Sequence, residues 1–287
     1  MSLSSADRAE LEVLLRNEAD MAFRRRALIL LEWLELRDHE HVLDCGCGMG
    51  FYLMVMGRMR SLRLTGIDGD SARLQWARRE RVPASLVCGD IEHLPFAESS
   101  FDKILMSEVL EHLADHTTGL RELLRVLRPG GILALSVPHA RYPFWWDPIN
   151  RIWIGAGGQP IRRGPIAGIW SNHQRLYEPE DLAARVRAAG FEVERIHEAT
   201  HYSLPFLHFL IYGIGKPLLE HNFLPLWARR SADRFSGASN RGSLWNPINA
   251  LVHLLRAIDS LNDSPKASTK RTFVNVLLKA RKPNPPG

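Results

Sequence analysis

Apolar side chains return every three or four positions through the first stretch of the chain, at Leu11, Leu14, Leu15, Ala22, Leu30, Leu31 and Leu34. That spacing follows the helical turn and predicts one or two amphipathic helices between Ser5 and Leu36, whose simplest task is packing. The pattern then changes. Short apolar runs at His41–Cys45, Arg63–Asp68, 84–89, Phe101–Ser107 and 131–137 alternate with helical stretches, among them 71–81 and 108–127. Strands separated by helices in this order predict a parallel sheet covered on both faces. Arg128-Pro129-Gly130-Gly131 stops the last of these helices and passes the chain into a strand.

Beyond Val137 the rhythm breaks into Pro-, Trp- and Gly-rich sequence through Ser171. A long irregular stretch in a compact domain is expected to be a lid or binding loop. Residues 178–189 then read as a helix closed by Gly190, 191–197 as a strand and 272–279 as its partner strand. The expected organisation is N-terminal helices over 1–40, a core over 41–199 with a loop insert near 141–171, and a hydrophobic cap over 200–271. A last strand and disordered tail follow over 272–287.

Composition narrows the class only a little. The 287 residues can bury a full core, and 45% hydrophobic with 24% charged residues is the balance of a soluble globular chain. The net charge of +5 is spread among mixed charges. It reads as a solvated surface, with a nucleic-acid or anionic-membrane face as the alternative. Cys45, Cys47 and Cys88 form no C-x-x-C pair, which speaks against zinc or a disulfide and for the reducing cytoplasm. No secretory signal and no run of roughly 18 apolar residues is visible.

The chemistry concentrates where the first strand ends, in Val42-Leu43-Asp44-Cys45-Gly46-Cys47-Gly48-Met49-Gly50. Glycines without β-carbons let backbone amides approach a ligand closely. Phe51 stands where the dinucleotide pattern G-x-G-x-x-G needs another glycine. Asp68, in Gly66-Ile67-Asp68-Gly69-Asp70, lies roughly 20 residues beyond the loop, at a strand end from which a carboxylate accepts hydrogen bonds from ribose hydroxyls. Taken alone, that acid fits NAD equally well. Asp90 closes the third run, within reach of an adenine amino group, and Ser107-Glu108 closes the fourth.

In order, V-L-D-C-G-C-G-M-G, G-I-D-G-D, G-D-I-E-H-L-P-F, F-D-K-I-L-M-S-E-V-L-E-H-L and L-R-P-G-G resemble the motifs of class I S-adenosylmethionine (SAM) methyltransferases. The resemblance is to the type 11 and ubiquinone-pathway-like group and covers Val42 to Val137. It implies an α/β, Rossmann-like, seven-stranded class I methyltransferase sheet with helices on both faces and an α-helical or loop cap inserted before the last strand. It also implies that Gly46, Cys47 and Gly48 approach the methionine part of SAM, that Asp68 holds the ribose, and that Asp90 with Ile91 frames the adenine. Asp44 would organise the loop and reach the amino group through water, and Gly69 and Ser107 complete the cofactor set. Asp70 can instead serve only as a helix cap, and Cys45 only as core.

For the acceptor, offsets of three and four residues put Glu108, Glu111 and His112 on one face of the expected helix. This E-x-x-E-H resembles the divalent-metal motif of small-RNA 2′-O-methyltransferases and ubiquinone-pathway O-methyltransferases. His173, in Asn172-His173-Gln174, would supply the additional histidine of those families. Three roles stay open. Glu108, Glu111, His112 and His173 hold Mg²⁺; His112 or His173 acts as a metal-free base or substrate contact; or the group is structural.

The segment 203–228 is dense in apolar and aromatic residues, is followed by the basic pair Arg229-Arg230 and is broken by Pro205, Gly213, Gly215 and Pro217. It reads as a lid or as a peripheral membrane contact, with 246–259 as a further amphipathic helix. The expected function is SAM-dependent methylation of a small hydrophobic or lipid-like acceptor, with oxygen placed before carbon or nitrogen. An NAD(P)-binding oxidoreductase and a non-catalytic binding protein of the same fold are the alternatives. Nucleic acid is not the expected partner, since neither an RNA-binding module nor an N/D-P-P-Y/F motif is present. Phe144-Trp145-Trp146 is read as lining an apolar pocket.

Overall fold

The computed structural model describes residues 5–15, 18–164, 166–206, 209 and 247–285. Seven strands, β1 (His41–Cys45), β2 (Arg63–Asp68), β3 (Ser85–Cys88), β4 (Phe101–Ser107), β5 (Leu127–Pro138), β6 (Glu192–Ala199) and β7 (Asn275–Arg281), form one sheet in the order β3-β2-β1-β4-β5-β7-β6. β3, β2, β1, β4 and β5 run parallel, and β7 enters antiparallel between β5 and β6. The chain winds outward from β1 to β3, then returns to β4 on the other side of β1. A crevice opens at the carboxyl ends of the strands where the winding reverses.

Two cores follow from strand alternation, because successive side chains point to opposite faces. Leu43 and Cys45 of β1, Ile104 and Met106 of β4, and Leu133, Leu135 and Val137 of β5 face α5 (His116–Val126) and α7 (Pro179–Ala188). Val42, Leu105, Ala134 and Leu277 face the other way, toward α1 (Ser5–Leu14), α2 (Met21–Trp33), α3 (Phe51–Met59) and α4 (Ser71–Arg79). The sheet is therefore sandwiched between two helical layers, as its apolar central strands require.

Three local expectations are corrected. The helix expected over 108–127 begins only at His116. Glu108 sits at φ 56°, and Asp115 caps the helix by accepting the Thr117 and Thr118 amides. A left-handed residue cannot continue a right-handed helix, so 108–115 is a loop. The irregular 141–171 stretch contains α6 (Pro148–Gly155), started by Asp147, which accepts the Asn150 amide, with Pro148 in the first turn. At the C-terminus, Lys282, in the tail expected to be disordered, is held in place: its amide donates to Gly131 O at 3.0 Å and its Nζ to Leu127 O at 2.7 Å.

Of the 200–271 stretch, the described residues are 200–206, 209 and 247–271, the last part holding α8 (Pro247–Asp259). The segment 203–228, read as a lid or membrane contact, lies almost wholly outside the described residues. Among the described residues no helix is long and apolar enough to cross a membrane.

Candidate active site

β1 is buried from Val42 to Cys45 and ends in a loop whose three glycines, Gly46, Gly48 and Gly50, adopt φ of 74°, 54° and 81°. A side chain would be strained there, and at Gly46 it would also collide: a Cβ would lie 2.3 Å from Val109 Cγ2. The loop is fastened to the end of β2 by Gly46 and Cys47 amides donating to Ile67 O at 2.8 and 3.0 Å. Asp68 completes the clasp. Its Oδ2 accepts the Gly48 amide and its Oδ1 the Asp70 amide, each at 2.8 Å. Asp70 is in turn the N-cap of α4, accepting the Ala72 and Arg73 amides.

Beneath this clasp lies Asp44, wholly buried, with its Oδ2 lacking any hydrogen-bond partner. Burial, reinforced by the neighbouring Asp68 carboxylate, pushes its carboxyl up to about 8. Cys45 and Cys47 are free and buried, and burial raises both thiols above their ordinary range. At the end of β3, Asp90 is exposed and caps a single 3-10 turn by accepting the Glu92 amide, while Ile91 is buried beside it. Gly69 has open space around its Cα: a side chain there would meet nothing nearer to its Cβ than Gly89 O, at 3.9 Å. The fold thus brings Asp44, Gly46, Cys47, Gly48, Asp68, Gly69, Asp90, Ile91 and Ser107 to the carboxyl ends of β1 to β4.

Ser107 belongs to a polar chain that the spacing of motifs did not reveal. Its Oγ lies 3.2 Å from both Tyr52 OH and Ser136 Oγ, and Ser136 Oγ donates to Glu108 Oε1 at 2.9 Å. Glu108 Oε2 accepts from Asn275 Nδ2 at 3.0 Å and lies 3.5 Å from Arg26 Nη1. One acid thereby ties α2, β5 and β7 together. Arg26, an arginine on the buried face of α2, was the available sequence signal for it.

This corrects the expected four-residue metal set. Left-handed Glu108 is not among the converging ligand atoms and is held by Ser136, Asn275 and Arg26. The other three converge through the loop rather than along a helix face. One ligand atom each from Glu111, His112 and His173 lies within 4.8 Å of the others. Glu111 Oε1 is 3.9 Å from His112 Nε2 and 3.7 Å from His173 Nε2. The two rings meet edge to face at 4.6 Å between centroids.

Three ties bring His173 here: Gln174 N donates to Glu111 O at 2.9 Å, and Arg175 donates to the Leu113 and Ala114 carbonyls. Glu111 is fully buried, and neither carboxyl oxygen has a hydrogen-bond partner. Burial, helped by the nearby Glu108 carboxylate, raises its carboxyl well above the usual range. The half-exposed His112 donates Nδ1–H to Asn172 O at 3.0 Å, which leaves Nε2 as the basic nitrogen. Val109, against Gly46, and Glu111 lie two residues apart in one loop, so the cluster adjoins the glycine loop.

Residues 43–135 match the family model described as a methyltransferase domain. The chain is 29% identical over 177 residues to a probable S-adenosylmethionine-dependent methyltransferase of Mycolicibacterium smegmatis, a match covering 62% of each chain. It is 36% identical over 97 residues to the malonyl-(acyl-carrier protein) O-methyltransferase of Serratia marcescens, covering 34% of this chain and 38% of that one. The matches therefore span only part of these relatives. Among solved structures, the (4+2)-cyclase SpnF superposes with a TM-score of 0.56 at 22% identity, over 91% of this chain and 81% of that one.

Proposed function

With a class I SAM-dependent methyltransferase core as premise, we propose that the chain binds SAM at the carboxyl ends of β1 to β4 and methylates a small hydrophobic or lipid-like acceptor. The observation that carries this reading is Asp44: a buried carboxyl with an unpartnered oxygen beneath a glycine loop is suited to a cationic ligand above it. SAM supplies an activated sulfonium methyl and carries an ammonium group. Asp44 faces that charge directly or through water, and the Gly46–Gly48 backbone borders the methionine part. Asp68 exchanges part of its backbone clasp for ribose hydroxyls, while Asp90 and Ile91 frame the adenine, with Gly69 and Ser107 at the rim.

For an oxygen acceptor, His112 Nε2 takes the hydroxyl proton while the Asn172 carbonyl holds the ring in the required tautomer. His173 and the buried Glu111 shape the floor beneath it. A malonyl-(acyl-carrier protein) O-methyltransferase and an O-methyltransferase of Penicillium expansum among the relatives support oxygen as the methylated atom. The deciding measurement is calorimetric: micromolar binding of S-adenosylhomocysteine (SAH) with none of NAD supports the reading, and the reverse overturns it. Labelled SAM incubated with lipid and metabolite extracts, with mass analysis of products, separates turnover from mere binding. The shared fold of a (4+2)-cyclase gives that second measurement its purpose.

A divalent cation is the second reading, favoured by the convergence of Glu111, His112 and His173. One carboxylate and two imidazoles fit Mg²⁺ poorly, because that ion favours an octahedron of oxygen ligands. No step is therefore routed through Mg²⁺.

A further inference from the structure

We propose that the 141–171 insert is an interfacial anchor, seating α6 and its flanking loop on an anionic phospholipid surface. Six of the thirteen exposed large apolar side chains among the described residues fall between 144 and 166: Phe144, Ile149, Ile152, Trp153, Ile154 and Ile166. Scattered singly such residues mean little, but a cluster of this density marks a contact surface. Ile152 and Trp153 are 64% and 52% exposed and share one face of α6 with Ile149, at offsets of three and four.

Charge identifies the occupant. Arg151, Arg162 and Arg163 are exposed around this apolar cluster. The guanidinium groups of Arg151 and Arg162 lie over the Tyr142 and Trp170 rings at 5.1 and 5.8 Å. Asp147, the sole acid between 141 and 171, is wholly buried and accepts from Asn150 and the Ile169 amide. An apolar ridge with a cationic border and no exposed acid complements an interface of acyl chains beneath anionic headgroups.

The anchor is also joined to the site. Ile161 N donates to Asn150 Oδ1 at 2.7 Å, Asn172 N donates to Arg162 O at 2.9 Å, and Asn172 O accepts from His112. Resting on the lipid-like acceptor proposed above, this arrangement sets the acceptor cluster beside the bilayer from which such a substrate would enter.

The full chain is floated with vesicles of phosphatidylcholine alone and of equal phosphatidylcholine and phosphatidylglycerol. Flotation with the anionic vesicles, lost at high salt, is the expected result. The pairs Ile152→Ser with Trp153→Ser, and Arg162→Gln with Arg163→Gln, should each lower partitioning about tenfold or more. Brominated acyl chains should quench the fluorescence of the Trp153→Phe variant less than that of the unaltered chain. Unchanged melting and SAH binding show that the variants fold.

No flotation, or flotation indifferent to both pairs, overturns the anchor. Loss of a dimer in the apolar pair, with no vesicle binding by the unaltered chain, would assign the ridge to a second copy. Flotation without SAH binding would instead overturn the methyltransferase reading and leave the anchor standing.

Discussion

Asp68 Oδ2 accepts the Gly48 amide at 2.8 Å, so the acid that ends β2 holds the glycine loop that follows β1. The same carboxylate therefore shapes the loop and stands at the ribose position of the proposed SAM site. Asp68→Ala should weaken SAH binding by about tenfold to a hundredfold, the worth of one or two hydrogen bonds to a charged group. Asp68→Asn keeps one acceptor oxygen and should lose less. Calorimetric titration checks both, and equal, negligible losses would remove Asp68 from the site.

Gly46 combines a positive φ with a Cβ position 2.3 Å from Val109. Gly46→Ala should therefore destabilise the fold by about 1–3 kcal/mol, through backbone strain and overpacking together. Adding Val109→Ala should recover the steric part and leave the strain. Urea melts of the single and double variants separate the two contributions.

Asp44 carries a pH dependence whose sign is fixed by its buried environment. Its carboxyl is raised to about 8 in the fold, above the ordinary carboxylate value. Protonated Asp44 therefore favours the folded state. That contribution is complete below the unfolded value near 4 and is lost as pH rises through about 8. The chain without ligand should lose stability across this window, and Asp44→Asn should flatten the loss in thermal melts. SAM affinity should run the other way, gaining up to about tenfold per pH unit below 8, because the cation prefers the ionised acid. A pH-independent difference between the unaltered chain and Asp44→Asn would refute the assignment.

His112 and Glu111 separate the base from the metal reading. If His112 is the proton acceptor, His112→Ala should lower kcat by about a hundredfold or more while SAH binding holds. Glu111→Gln, which keeps the size and shape of the buried side chain, should cost much less. A transition-metal site predicts another result: saturable Mn²⁺ binding that disappears in Glu111→Ala with His173→Ala. Glu108→Gln should leave Mn²⁺ binding intact but lower stability, since Glu108 serves Ser136, Asn275 and Arg26.

Asp147 governs the insert. It is fully buried, caps α6 and receives Asn150 and Ile169, and a Cβ on Gly168 would collide with its carboxylate. Asp147→Ala should raise hydrogen exchange across α6 and cost about 1–3 kcal/mol, by leaving buried donors unpaired. Exchange confined to the global unfolding rate in that variant would show that the insert is held by something else.

Alternation and punctuation carry the sheet in the amino-acid order: the apolar runs mark β1, β2 and β4 with their observed bounds, because strands covered on both faces are built mainly from apolar residues. The glycine loop was equally legible, since glycine adopts the positive φ values found there without the strain a side chain brings. Side chains that depend on distant partners were not. Glu108 and Glu111, three residues apart, suggested a shared helix face. A left-handed Glu108 sends one acid to Arg26 and Asn275 and leaves the other buried beside His112 and His173. Whether a polar residue becomes a strut or a reactive group depends on what surrounds it. Here that surrounding arrives from α2, β7 and the 172–175 turn, far along the chain, and tertiary packing alone selects it.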